Sequence, residues 1–335
     1  MGVESKVIMP LPYHDEDLKD EILRTEYKNL ESVEWWKSLG IDGLVLYSWG
    51  ASRYRKIARA VHKAGIRLHI HMDSSGDFGG VFRADTPMWK RLYMRVLCRV
   101  QDVFRSWHLR QADVVSMCPT AADVVSRRLF YGRWLRDRNC PMPCPVSSHC
   151  AYDGRQKEEL ILCIGRWDDV FQKRPEMMMA TLEAYYAQGG TAEFRIYGNI
   201  TPALEEWHAG LKSEYVQKIK ILGYIPNKCL WEEYQKARVI LCTSLFESSH
   251  VVSAEALCCG CSVVTAYRPE SLRNLFWYTT KESGTIAKDD TPESLACALR
   301  HELRLWSDSK RNPAHIAAAW QPYFHADKVL NEIFS

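Results

Sequence analysis

The sequence predicts two α/β units in tandem, each a parallel sheet covered by helices. Short β-branched apolar runs alternate with helical patterns along the whole chain, the order expected of parallel sheets with helical crossovers. The rhythm stops at Asn139-Cys140-Pro141-Met142-Pro143-Cys144-Pro145, where three prolines forbid a helix or a central strand, and then starts again. With 335 residues the chain has room for about two domains of roughly 100 to 200 residues.

In the first half, strands are expected at Lys6 to Leu11, Gly43 to Tyr47, Ile66 to Met72 and Ala112 to Met117. Helices are expected near Leu18 to Ser38, Ser52 to Lys63, Pro87 to Arg110 and Ala121 to Tyr131. The second half offers strands at Leu160 to Ile164, Glu193 to Tyr197, Lys220 to Leu222, Arg238 to Thr243, Ser262 to Thr265 and Gly284 to Ala287. The polar run Tyr152 to Glu158 completes the approach to a boundary, so the expected units are 1–152 and 153–312. A last helical stretch within 313–335 is expected to pack back onto the first unit.

Composition excludes several classes. A net charge of +3, with no aromatic residues interleaved in a basic stripe, argues against nucleic acid as a partner. There is no apolar run of about 18 residues, and Met1 to Pro10 lacks a basic segment followed by an apolar core. A cytoplasmic protein is expected. Twelve cysteines scattered through strands and helices suit a reducing compartment and small buried apolar groups. Cys140, Cys144 and Cys150, and Cys258, Cys259 and Cys261, lack the two spaced ligand pairs of a zinc site. No metal is expected.

The chemistry concentrates in two segments of the second half. Phe246 to Gly260 places Glu247 in the loop after a buried strand and Glu255 about two turns into the following helix. At such a loop the helix N-terminal amides point outward with partial positive charge. The amides of Ser249, His250, Val251 and Val252 would cradle a phosphate, while the two carboxylates accept hydroxyl hydrogens on either side. The second segment runs from Leu160 through Gly165 and Arg166 to Lys173, Arg174, Pro175 and Glu176. It sets an arginine and a lysine at the carboxyl edge of the first strand of the unit. Arginine can fork two phosphate oxygens and lysine acts as a compact charge; taken alone such a pair is more often two solvated loop cations, and coincidence with the Glu247 to Glu255 loop weighs against that. The pattern suits a ligand that is part sugar and part phosphate.

These residues resemble the nucleotide-sugar glycosyltransferases of the two-domain GT-B fold, of the retaining family 4 type. Gly165-Arg166 to Lys173-Arg174-Pro175-Glu176 is similar to that family's GR…KRPE loop, and Glu247 to Glu255 to its E-x7-E signature. Leu222 to Pro226 resembles its base-binding turn, and Ala256 to Val264 the continuation of the signature helix into the next strand. The resemblance covers residues 160–290; before that it is weaker, carried by Ala112 to Ser116 with Gly132. It implies two Rossmann-like domains facing a cleft. Arg166 and Lys173 would hold the donor diphosphate, Glu255 the ribose hydroxyls, and Glu247 the transferred sugar. The amides near His250 to Val252 would meet the distal phosphate, Tyr224 and Ile225 would face the base through their backbone, and Gly165 and Gly198 would border the donor, with Gly198 letting the chain approach it. The donor would be a nucleotide diphosphate sugar, a UDP-sugar in preference to a GDP-sugar, with no cofactor and no metal: no Asp-x-Asp occurs near a strand end of the second unit. A phosphorylase or epimerase on the same fold, and a non-catalytic module that binds sugar or a partner enzyme, stay open as alternatives.

The first half departs from that family. Many members carry a Gly-Gly loop after the first strand, where this chain has Pro12-Tyr13-His14-Asp15-Glu16-Asp17. The family's usual histidine at an N-domain strand end corresponds to either His71 or Asp73, and either would bond the donor sugar; Asp73, at the strand's carboxyl end, is the preferred one. His69 and His71, alternating in a strand, also suit a structural role. Ser48 and Trp49, after another strand, would contact an acceptor, or else form a turn over a buried tryptophan. Finally, Trp89, Leu92, Tyr93, Val96, Leu97, Val100, Val103, Phe104 and Trp107 recur at helical spacing, with Lys90, Arg91, Arg95, Arg99 and Arg105 on the other faces. A basic amphipathic helix of this kind either packs as an ordinary domain helix or lies on an anionic membrane. The second option would place the protein peripherally at the inner face of a membrane.

Overall fold

The computed structural model describes residues 6–10, 22–48, 54–72, 87–117, 139–247, 249–267 and 279–334. The loop Pro12 to Asp17, Trp49, Asp73 and the expected helix at Ala121 to Tyr131 lie outside the described residues. The chain divides into two compact units, Met1–Met142 and Pro143–Ser335.

In the first unit β3 (Gly43–Ser48), β4 (Arg67–Met72), β5 (Val114–Met117) and β6 (Asn139–Pro141) form a parallel sheet in that order. The proline-bearing β6 sits at its edge, where a missing amide costs no ladder bond. The helix α3 (Tyr54–Lys63) buries Ile57, Ala58, Ala60 and Val61 against the sheet and leaves Arg55, Lys56 and Arg59 in solvent. β1 (Val7–Pro10) does not join this sheet but pairs in parallel with β2 (Ile22–Thr25). The single helix expected over Leu18 to Ser38 is therefore a correction. Ile22 to Thr25 is a strand, followed by α1 (Tyr27–Leu30) and α2 (Val33–Ser38). Ser32 starts α2 by accepting the Trp35 amide at 3.2 Å, and buried Trp36 donates to the Leu30 carbonyl at 2.8 Å, which fixes the break. α4 (Met88–Leu109) is the expected long helix, yet Met88, Trp89, Leu92, Tyr93, Val96 and Val100 on it are exposed, Trp89 at 71%. No helix among the described residues is long and apolar enough to cross a membrane.

The second unit has a six-stranded parallel sheet, ordered β12-β11-β10-β7-β8-β9. Its strands are β7 (Glu158–Gly165), β8 (Glu193–Gly198), β9 (Ile219–Gly223), β10 (Ala237–Cys242), β11 (Ser262–Thr265) and β12 (Gly284–Ile286). Ile161, Leu162, Cys163, Val239, Ile240, Val263 and Val264 are fully buried, as both faces of such a sheet require. The helices are α5 (Pro175–Ala187), α6 (Pro202–Ala209), α7 (Ser213–Val216), α8 (Asn227–Lys236), α9 (Val251–Cys258), α10 (Pro292–Ser307), α11 (Pro313–Phe324) and α12 (Ala326–Phe334). Proline opens α5, α6, α10 and α11, and Thr201, Thr291 and Asn312 cap the last three with side-chain oxygens. Buried Lys157 donates to the carbonyls of Tyr234 at 2.6 Å and Cys259 at 2.7 Å, neutralising the C-terminal ends of α8 and α9 together.

Residues 143–152 pack with this second unit, so the division falls at Met142 rather than at 152. Val146 exchanges backbone bonds with Phe324 and Ala326, the Tyr152 amide donates to the Cys258 carbonyl, and His325 Nε2 lies 2.9 Å from the Cys150 carbonyl. The last helical stretch is two helices, α11 and α12, broken at His325.

Candidate functional site

The sheet order reverses between β7 and β10: the chain leaves β7 toward β8 and β9, and leaves β10 toward β11 and β12. Where an open parallel sheet reverses, the two adjacent loops diverge and leave a crevice at the carboxyl edge. Both sequence segments open there. The β7 loop carries Arg166, Gln172 and Lys173; the β10 loop carries Glu247 and runs into α9.

The two loops are stitched together. The Leu245 amide donates to the Gln172 carbonyl at 2.7 Å, and the Thr243 hydroxyl to the Lys173 carbonyl at 2.8 Å. Lys173 Nζ forms an ion pair with Glu247 Oε1, and Gln172 Nε2 donates to Glu247 Oε2 at 3.1 Å. The side chains of Lys173 and Glu247 are only 13% and 6% exposed, so each charge depends on the other to be tolerated at this depth. Arg166 is more exposed and lies 3.4 Å from both Asp169 and Gln172. The lysine is thus prearranged, while the arginine is held loosely at the rim.

The N-terminus of α9 faces the same loop. Its N-cap residue, His250, makes no side-chain cap; instead Nδ1 contacts Ser253 Oγ at 2.6 Å, and the Ser253 and Ala254 amides bond to the His250 carbonyl. The amides of Ser249 to Val252 therefore lie at the helix end that attracts anions. His250 Nε2 is 4.0 Å from Glu247 Oε1 and 3.8 Å from Cys242 Sγ. Burial pushes the Cys242 thiol up, but the His250 ring beside it outweighs that and leaves it below the usual thiol range. Ser249 Oγ accepts the Cys144 amide at 3.3 Å.

Two turns along α9, Glu255 accepts a hydrogen bond from Tyr234 Oη at 3.0 Å. Burial holds its carboxyl above the usual range, against the pull of that bond. Tyr234 and Gln172 are functional neighbours that pattern reading missed. Gln172 adjoins Lys173 in sequence and was within reach of it; Tyr234 is placed only by the packing of α8 against α9.

Gly165 and Gly198 end the paired strands β7 and β8. A Cβ on Gly198, where φ is +115°, would lie 1.8 Å from the Gly165 carbonyl oxygen. The close approach that requires glycine here is thus between two strands of the fold itself. Exposed Tyr224 and half-buried Ile225 follow β9, two strands from β7 and so about 10 Å along the edge. Arg174, with φ at 57°, closes the β7 loop and pairs with Asp290 at 2.9 Å.

In the first unit His71 lies near the carboxyl end of β4, 1% exposed and edge-on to Tyr47, ring centroids 5.1 Å apart. Ser48 ends β3, paired with Met72; its side chain, like Trp49 and Asp73, lies outside the described residues. No three His, Cys, Asp or Glu side chains converge as a metal site among the described residues.

Known proteins fit this geometry. Residues 158–304 match the family described as glycosyl transferases group 1. Among solved structures, sucrose-phosphate synthase from Thermosynechococcus elongatus is 18% identical, with a TM-score of 0.63 over 97% of this chain and 80% of its own. Anabaena HepE in complex with UDP and glucose is 13% identical, TM-score 0.62, over 95% and 86%. A glycosyltransferase from Rickettsia africae is 12% identical, TM-score 0.66, over 95% and 85%. No curated protein matches the sequence. The fold is that of the GT-B glycosyltransferases.

Proposed function

We propose that the protein is a retaining glycosyltransferase that moves a hexose from a UDP-sugar to an acceptor hydroxyl. The observation that carries this reading is the buried Lys173–Glu247 pair, held between two stitched loops beside the N-terminus of α9. Lys173 has donors left for a diphosphate, and Arg166 can swing in from the rim. As the sugar–phosphate bond breaks, negative charge grows on the leaving diphosphate. Lys173 and the helix amides, already oriented, stabilise that charge with little reorganisation, and Arg166 adds to them once it has moved in. No metal is needed for this step. Glu247 accepts hydroxyl hydrogens of the sugar, Glu255 those of the ribose, and the backbone at Tyr224 and Ile225 meets the base. Among the described residues no side chain is set as a covalent nucleophile, so the acceptor attacks on the face the diphosphate leaves. UDP is favoured because HepE, of the same fold, was solved with it.

The exposed apolar stripe of α4 with Lys90, Arg91 and Arg95 beside it supports a peripheral site of action on an anionic membrane, as in glycolipid or cell-surface glycan synthesis. A panel of nucleotide sugars in a thermal-shift assay identifies the donor, since the right one stabilises by mass action. Transfer from that donor in EDTA, with NMR showing an unchanged anomeric configuration, is the expected result. Inversion, or strict dependence on a divalent cation, would refute the mechanism. Co-sedimentation with anionic but not neutral liposomes at low salt tests the membrane site.

A further inference from the structure

Arg174 stands at the junction of the β7 loop and α5 with left-handed backbone, φ at 57° and ψ at 61°. A side chain with a Cβ crowds the backbone there, and Arg174 and Ser309 are the two non-glycine residues at positive φ among the described residues. Pro175 follows, and a residue before proline ordinarily takes extended backbone. The fold therefore holds Arg174 away from its local preference.

Both sides of the junction are fixed. Downstream, α5 buries Met177, Met178 and Leu182 in the core, and the amides of Met177 and Met178 donate to the Arg174 carbonyl at 3.0 and 3.2 Å. Upstream, the carbonyls of Gln172 and Lys173 are bonded to Leu245 and Thr243 of the β10 loop. An extended residue 174 would turn that loop relative to α5, drawing both carbonyls off their partners and Lys173 Nζ off Glu247. The arginine side chain supplies the hold. It is 9% exposed, and Nη1 donates to both carboxylate oxygens of Asp290, between β12 and α10, at 2.9 and 3.1 Å.

We propose that Arg174 is a positioning residue for Lys173: its left-handed backbone, held by the ion pair with Asp290, aims Lys173 at Glu247, and its guanidinium does not bind the donor diphosphate. The aim of Lys173 stands on the geometry; its effect on transfer rests on the function proposed above. A residue that keeps the strain without the hold lowers the fraction of molecules with the loop in place, and transfer falls with that fraction.

Three substitutions, all lacking the guanidinium, separate backbone from charge. Glycine adopts the left-handed region without steric cost, alanine keeps the strain but loses the ion pair, and valine adds a β-branched carbon. Relative to the native chain, kcat with the donor found in the thermal-shift panel is expected within about threefold for Arg174→Gly, roughly tenfold lower for Arg174→Ala and roughly 100-fold lower for Arg174→Val. A guanidinium that binds diphosphate would make all three lose alike, so equal losses in the glycine and alanine variants overturn the proposal; that pair decides even where Arg174→Val does not fold. A second readout needs no turnover. The coupling between Lys173→Met and Glu247→Gln, measured as a double-mutant cycle by urea unfolding, is expected to persist in the Arg174→Gly background and to weaken in Arg174→Ala. Undiminished coupling in Arg174→Ala overturns the proposal. The expected coupling pattern in a chain that transfers no sugar would uphold the positioning role and defeat the functional reading instead.

Discussion

Replacing Lys173 by Met removes one member of a buried ion pair and leaves Glu247 charged at 6% side-chain exposure. Breaking such a pair from one side costs about 3–5 kcal/mol, because the remaining charge is uncompensated. Here Gln172 Nε2 still donates to Glu247 Oε2 at 3.1 Å, and a hydrogen bond to a charged group is worth about 1.5–3 kcal/mol. The net loss expected for Lys173→Met is therefore about 2 kcal/mol. Glu247→Gln should cost a similar amount by stranding the lysine. The double variant leaves two neutral groups of similar size, and its stability should return to within about 1 kcal/mol of the native chain. Urea unfolding of the four proteins yields the coupling as a double-mutant cycle. Transfer activity separates stability from chemistry: each single variant should lose about 100- to 1,000-fold in kcat, and the double variant should stay inactive although it is stable. Additive losses, or a double variant with native activity, would refute the reasoning.

Three further outcomes follow from the same geometry. Gly198→Ala should fail to fold or lose about 3 kcal/mol or more, since its Cβ meets the Gly165 carbonyl at 1.8 Å; Gly189→Ala, also at positive φ but with nothing within 4 Å, should lose only about 1 kcal/mol by the same denaturation assay. Tyr234→Phe should raise the Glu255 carboxyl further, because the hydrogen bond that opposes burial is gone; calorimetry should find UDP bound about tenfold more weakly, with the loss deepening toward acid pH. His69 and His71 bind protons less readily folded, at about 4, than unfolded, at about 6.5. Their contribution to stability is complete above about pH 6.5 and is lost as pH falls toward about 4. Thermal unfolding of the native chain across that window should show a steeper decline than that of a His69→Phe variant.

The Leu18 to Ser38 segment shows where sequence reading failed and why. Its spacing suits a helix, but Ile22 to Thr25 finds a partner in Val7 to Pro10, and a parallel partner 15 residues earlier leaves no trace in local periodicity. The boundary moved for a similar reason: residues 143–152 are held by backbone bonds to residues 258, 324 and 326, contacts invisible along the chain.

By itself the sequence determined the alternation of strand and helix, the proline break, and the two segments that carry Arg166, Lys173, Glu247 and Glu255. Those depend on local propensity, burial period and motif spacing, all of which are written within a few turns of chain. Only the tertiary structure decided that β7 and β10 are neighbours at the point where the sheet reverses. That adjacency turns a lysine and a glutamate 74 residues apart into one buried pair. The packing of α8 against α9 brings Tyr234 to Glu255, and the pairing of β4 with β5 brings Ser116 to His71. Pairing of this kind is a balance of long-range packing and desolvation, in which each group's partner is chosen by the fold.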